Sequence, residues 1–147
     1  MRLSSFSTVI VTCLLIGSQS FAKDAKPLKV VAPDLVIENA EQGAYCKVDE
    51  KTHDVDPRDL KPLSVIPRKH SFMFGWRMAI KTSRKSVLVQ ERSADGKGKS
   101  GMPFQAVPKF GYIYNFTDIV AGVGKGKYSK TIFVEDLPVK TFTYEVR

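Results

Sequence analysis

Over residues 72–81 every second residue is large and apolar: Phe72, Phe74, Trp76, Met78 and Ile80 alternate with Met73, Gly75, Arg77, Ala79 and Lys81. Successive side chains of an extended chain point to opposite faces, so this pattern predicts a half-buried antiparallel strand. Residues 82–85 read as a turn, and Val87-Leu88-Val89 as the hairpin partner of that strand. Upstream, Leu35-Val36-Ile37 starts a first strand, Gly43 marks its turn or bulge, and residues 44–48 continue it. Residues 63–67 are short and flanked by prolines, which predicts an edge strand. Downstream, residues 102–107 and 110–116 read as strands, the second with Tyr112, Tyr114 and Phe116 on one side. Residues 128–134 and 139–146 read as a closing hairpin around Glu135-Asp136-Leu137-Pro138.

Between these runs lie three loops. Residues 49–62 carry five acids, two prolines and His53, with neither a strand nor a helix period, and read as a long surface loop. Residues 94–101 (ADGKGKSG) hold three glycines, and residues 122–126 form another glycine turn. No amphipathic helix of ten or more residues is apparent. About seven to eight short strands, spaced by roughly 8–12 residues, predict an all-β fold, an immunoglobulin-like antiparallel β-sandwich. The aromatic stripe Phe72, Phe74 and Trp76 belongs to its core.

The first 22 residues stand apart: Met1 and Arg2 give a positive start, residues 9–16 are mostly apolar, and Ser20-Phe21-Ala22 places small residues at −3 and −1. This predicts a signal peptide (1–22) cleaved after Ala22, hence a periplasmic or secreted protein, most simply of a Gram-negative bacterium. Residues 23–33 then read as a flexible leader and residues 34–147 as one β-sandwich domain. No second apolar run of about 18 residues follows, so no transmembrane anchor is expected. Cys13 leaves with the signal peptide; Cys46 becomes the lone mature cysteine, expected to be buried.

The formal charge is +8, from 23 basic and 15 acidic side chains, and loss of Arg2 with the leader lowers it to +7. It is unevenly spread: residues 34–59 hold eight acids and three bases, residues 61–147 sixteen bases and six acids. Such polarity steers partners of opposite sign or simply keeps a face solvated.

Motifs add little chemistry. The run Gly122-Val123-Gly124-Lys125-Gly126-Lys127 lacks the spacing of a phosphate loop and is followed by strand-like residues, so it reads as a turn. Cys46, His53 and His70 are too few and too irregular for a zinc site, and nothing in the sequence pairs thiol with imidazole. Asp54, Asp56 and Asp59 lack the glycine bend and distal glutamate of a calcium loop. No metal and no cofactor is therefore expected. Asn115-Phe116-Thr117 matches a glycosylation sequon but falls inside an expected strand. The lysine-rich loops, with Tyr112 and Tyr114, have the composition of a nucleic-acid surface, but export argues against that partner.

Val36-Ile37, then Gly43-Ala44-Tyr45-Cys46, Val65-Ile66-Pro67, Phe74-Gly75, Tyr114-Asn115-Phe116, Gly126-Lys127-Tyr128 and the terminal Phe142-Thr143-Tyr144-Glu145-Val146 occur in an order that resembles a bacterial family of uncharacterised β-sandwich domains, some of them exported. Where that family usually shows His-Pro-Pro after its second central strand, this chain has Glu91-Arg92-Ser93. The resemblance implies the sandwich fold; it carries over no activity and no functional residue.

The expected function is a noncatalytic exported binding module that recognises an anionic envelope component or a protein partner through charged loops. Arg84, Lys85, Lys97 and Lys99 are the expected ligand-binding residues, and no catalytic residue is assigned. The alternatives are a small envelope hydrolase with Cys46 as nucleophile, and a structural accessory subunit that pairs through a sheet edge.

Overall fold

A computed structural model of the chain describes residues 26–97, 100–118 and 123–147. Ten strands lie among them: β1 (Lys29–Ala32), β2 (Leu35–Tyr45), β3 (Lys61–Pro62), β4 (Val65–Ile66), β5 (Met73–Thr82), β6 (Val87–Ser93), β7 (Phe104–Ala106), β8 (Tyr112–Thr117), β9 (Gly126–Val134) and β10 (Leu137–Val146). The first sheet has the order β1-β2-β5-β8 with β3 added to β2, and the second β4-β10-β9-β6-β7. Pairing is antiparallel except between β10 and β4. The protein is an all-β, immunoglobulin-like sandwich, as the strand spacing predicts. The expected signal peptide, its cleavage site and Cys13 lie outside the described residues.

Alternation decides what fills the space between the sheets. Leu35, Ile37, Trp76, Met78, Ile80 and Ile113 face Val87, Val89, Ala106, Ile132, Val134 and Phe142. A second cluster, Ala44, Ile66, Phe72, Phe74, Tyr144 and Val146, continues the core toward the other end. The stripe Phe72, Phe74 and Trp76 is thus core.

The strands differ from expectation in their partners more than in their positions. β5 and β6 are not a hairpin: β5 pairs with β2 and β8, β6 with β7 and β9, and residues 83–86 cross from one sheet to the other. The crossing buries the apolar rows of both strands against each other. It is clasped by Arg84, which donates to Asp34 at 2.7 and 2.8 Å in the first sheet and lies 3.3 Å from Glu135 of the second. The expected edge strand over residues 63–67 forms only as the two residues of β4, at the edge of the second sheet beside β10, while β3 just before it pairs with β2 of the first sheet. Lys29–Ala32, expected as part of a leader, pairs with β2, because the turn at Pro33-Asp34 folds it back and seats Val31 and Ala32 on the core. Gly43 is neither turn nor bulge. It pairs with Gly75, and a Cβ at either would meet backbone: 1.9 Å from the Lys61 carbonyl oxygen at Gly43, 2.1 Å from that of Asn115 at Gly75. The closing hairpin is present. Its two-residue turn places Glu135 and Asp136 at φ of 49° and 63°, the left-handed geometry that matches strand twist in tight hairpins.

The acidic loop is a cover. Val55 and Leu60 pack with Tyr45 against Met73, Tyr114 and Phe116 on the outer face of the first sheet. Arg77 reaches up from β5 to the carbonyl oxygens of Pro57 and Arg58, each at 2.9 Å, and Lys109 and Tyr114 donate to Asp54.

A candidate functional site between the sheets

Three inward positions that alternation reserves for apolar residues hold polar ones. On β6 the row Val87, Val89 continues to Glu91; on β9 the row Val134, Ile132 continues to Lys130; on β8 Ile113 is followed by Asn115. They meet in the interior. Glu91 accepts from Lys130 Nζ at 2.6 Å, from Trp76 Nε1 at 2.7 Å and from Asn115 Nδ2 at 2.8 Å. The side chains of Glu91 and Lys130 are only 12% and 21% exposed. Burial by itself would raise the Glu91 carboxyl, but the Lys130 charge and the three donated hydrogen bonds outweigh it and hold the group below its ordinary range. A carboxylate held ionised by three donors is a poor general acid near neutral pH.

This pair lies at the side of a cleft of about 330 Å³ between the sheets. The apolar wall is Phe74, Trp76, Phe142 and Tyr144; the rim includes Ser100, Gly101 and Thr117. Burial pushes the Tyr144 phenol up to about 12, so it stays protonated. Gln42, also lining the cleft, donates through Nε2 to the Thr143 carbonyl and so ties the two sheets. Its Oε1 is buried without a partner.

The four basic residues expected to form a site fall into separate places. Arg84 is the clasp described above, and Lys85 is exposed in the same crossing. Lys97 follows the other end of β6, about 20 Å away at the rise of an extended strand. Lys99 lies outside the described residues. Lys97 shares a groove of about 460 Å³ with Lys127, Ser129, Thr143 and Glu145. The acids there are engaged: Asp95 accepts from the backbone of Lys97 and Ser129, and Glu145 pairs with Arg147 at 2.9 Å. Lys127 stands opposite Glu145 in the ladder and its charge helps lower that carboxyl. No ion pair to Lys97, Lys125 or Lys127 is formed among the described residues.

The remaining chemistry-bearing residues do not assemble. Among the described residues no group of three or more His, Cys, Asp or Glu could hold a metal ion. His53 is exposed, and His70 stacks on Phe72 with ring centroids 4.3 Å apart. Cys46 is half-buried and packs against the second core cluster. The Asn115 amide of the sequon is committed to Glu91. Gly122 of the glycine turn lies outside the described residues, and Gly126 opens β9. Among the described residues no helix is long and apolar enough to cross a membrane.

No protein-family model matches the chain, and no curated protein matches it. Among solved structures it is similar to an immunoglobulin-like protein from Pseudomonas aeruginosa, with 14% identity and a TM-score of 0.48 over 80% of this chain and 100% of that one. The sheet order and the buried rows described above, rather than this distant likeness, carry the fold, and the expected family stands as a resemblance.

Proposed function

We propose that the chain is a noncatalytic, exported binding module that holds an anionic envelope partner at the end of the sandwich bearing Lys97, Lys125 and Lys127. One observation carries the reading: the acids at this end are engaged by backbone amides, Arg147 or Lys130, while these three lysines have no ion-pair partner among the described residues. Arg77, Lys81, Arg84 and Lys109 are each neutralised by a carboxylate, whereas Lys61, Arg68, Lys69, Lys85, Arg92 and Lys140 are also without an ion pair among the described residues. What singles out this end is that Lys97 and Lys127 share one groove. Lys97 and Lys127 line it, with Lys125 two residues before Lys127, and concentrate the positive field where an anionic chain can lie across it.

The test is capture of envelope components on the immobilised protein at low and high salt, read by mass spectrometry. The parent captures an anionic partner that high salt releases, because exposed ion pairs are screened. Lys97→Glu, Lys125→Glu and Lys127→Glu together abolish capture and leave the melting temperature nearly unchanged. Arg84→Glu with Lys85→Glu lowers the melting temperature by opening the clasp, and the folded fraction still captures. Undiminished capture by the triple variant defeats this assignment.

A further inference from the structure

We infer that the cleft between the sheets is a binding site for a small neutral molecule with an apolar ring and one N–H or O–H donor. Its size sets the scale, since about 330 Å³ is at the lower end of ligand pockets, which span roughly 300–1,000 Å³. Charge balance sets the sign. The Glu91 carboxylate and the Lys130 ammonium cancel at 2.6 Å. A further net charge beside them would lose its hydration with no counter-ion left to offset the loss. The walls set the body of the ligand, because the side chains of Phe74 and Phe142 offer only carbon. Gln42 sets the polar group. Its Nε2 donates to the Thr143 carbonyl, which fixes the amide orientation and leaves Oε1 as a buried acceptor without a donor. A ligand that donates there satisfies a group the fold leaves unsatisfied. This site shares Tyr144 with the basic groove but none of that groove's lysines, so the two readings are tested by different variants.

Trp76 makes the proposal measurable. It is the chain's single tryptophan, it is 3% exposed, and it lines the cleft with its Nε1–H on Glu91. The purified protein is titrated with benzyl alcohol, benzamide, toluene, benzoate and benzylammonium while Trp76 emission is followed. Benzyl alcohol and benzamide shift the emission saturably and bind about tenfold tighter than toluene, the worth of one good hydrogen bond. The two charged probes bind more weakly still. Gln42→Leu brings benzyl alcohol and toluene to equal affinity. Gly101→Phe blocks the rim and abolishes binding of every probe; a Cβ at Gly101 meets nothing nearer than 3.9 Å, so the backbone there accepts a side chain, and an unchanged far-UV spectrum and cooperative melt check that the variant is folded. The proposal is overturned by the absence of a saturable response to any probe, by charged probes binding as well as neutral ones, or by binding that survives Gly101→Phe. It is equally overturned if folded Gln42→Leu keeps the preference for the donor.

Discussion

Two carboxylates in this protein have nearly the same company and opposite surroundings. Asp54, in the acidic cover, accepts from Lys109 Nζ at 2.8 Å and from the Tyr114 hydroxyl at 2.9 Å. Glu91, between the sheets, accepts from Lys130 Nζ at 2.6 Å, from the Trp76 indole and from Asn115. The adjacent β8 residues Tyr114 and Asn115 each serve one of them, since neighbours on a strand face opposite ways. Access to water separates the two pairs. The side chains of Asp54 and Lys109 are 34% and 39% exposed, those of Glu91 and Lys130 12% and 21%. Water competes for the outer pair and screens it, so its energetic role is small. The inner pair is nearly dry, so each charge depends on the other.

The largest expected effect follows from breaking the inner pair on one side. Lys130→Met leaves Glu91 ionised, buried and without its cation, and costs about 3–5 kcal/mol of unfolding free energy at neutral pH. Adding Glu91→Gln removes the stranded charge, so the double variant is more stable than Lys130→Met alone. Denaturant unfolding of the three proteins gives the coupling directly. Strictly additive losses would show that the pair acts as two independent side chains.

Acid should narrow the gap between parent and Lys130→Met. In the parent the folded Glu91 carboxyl is depressed, so the stability it contributes is present above the unfolded value of about 4.3 and is lost as pH falls through the folded value. Without Lys130, burial dominates and raises the group instead. The variant then gains relative stability as pH falls, because a neutral carboxyl is easier to bury. Unfolding midpoints measured from neutral pH down to about 4 check this; a gap that stays constant or widens contradicts it.

The strands were legible because period-two rows at 72–81 and across the last hairpin are local properties. Their pairing was not, because a short connection serves a hairpin or a crossing equally well. At 83–86 the choice is made by Arg84 reaching Asp34, fifty residues earlier in the sequence, and by the burial of both apolar rows. The acid excess of the cover was visible, but its role depends on Val55 and Leu60, two apolar residues in a run without periodicity. Glu91, Lys130 and Asn115 left the faintest trace. Each is a single polar residue on the inward side of its strand, an ordinary surface position until the facing of that strand is known. The expected site was drawn from charge density alone, which does not show that Arg84 is already neutralised.

The smallest effect tests the outer pair. Lys109→Met removes a cation from Asp54 that water and the Tyr114 hydroxyl largely replace, so the cost is about 0.2–1 kcal/mol. Salt then separates the two regions. At high ionic strength the parent loses most of what the outer pair contributes, so parent and Lys109→Met converge. The difference between parent and Lys130→Met changes less, because the inner pair is mostly buried and buried pairs are screened much less than exposed ones. Denaturant curves at low and high salt for the three proteins decide it. If Lys109→Met costs as much as Lys130→Met, or if salt erases both differences alike, exposure is not what distinguishes Asp54 from Glu91, and the Glu91 pair has no special hold on the interior.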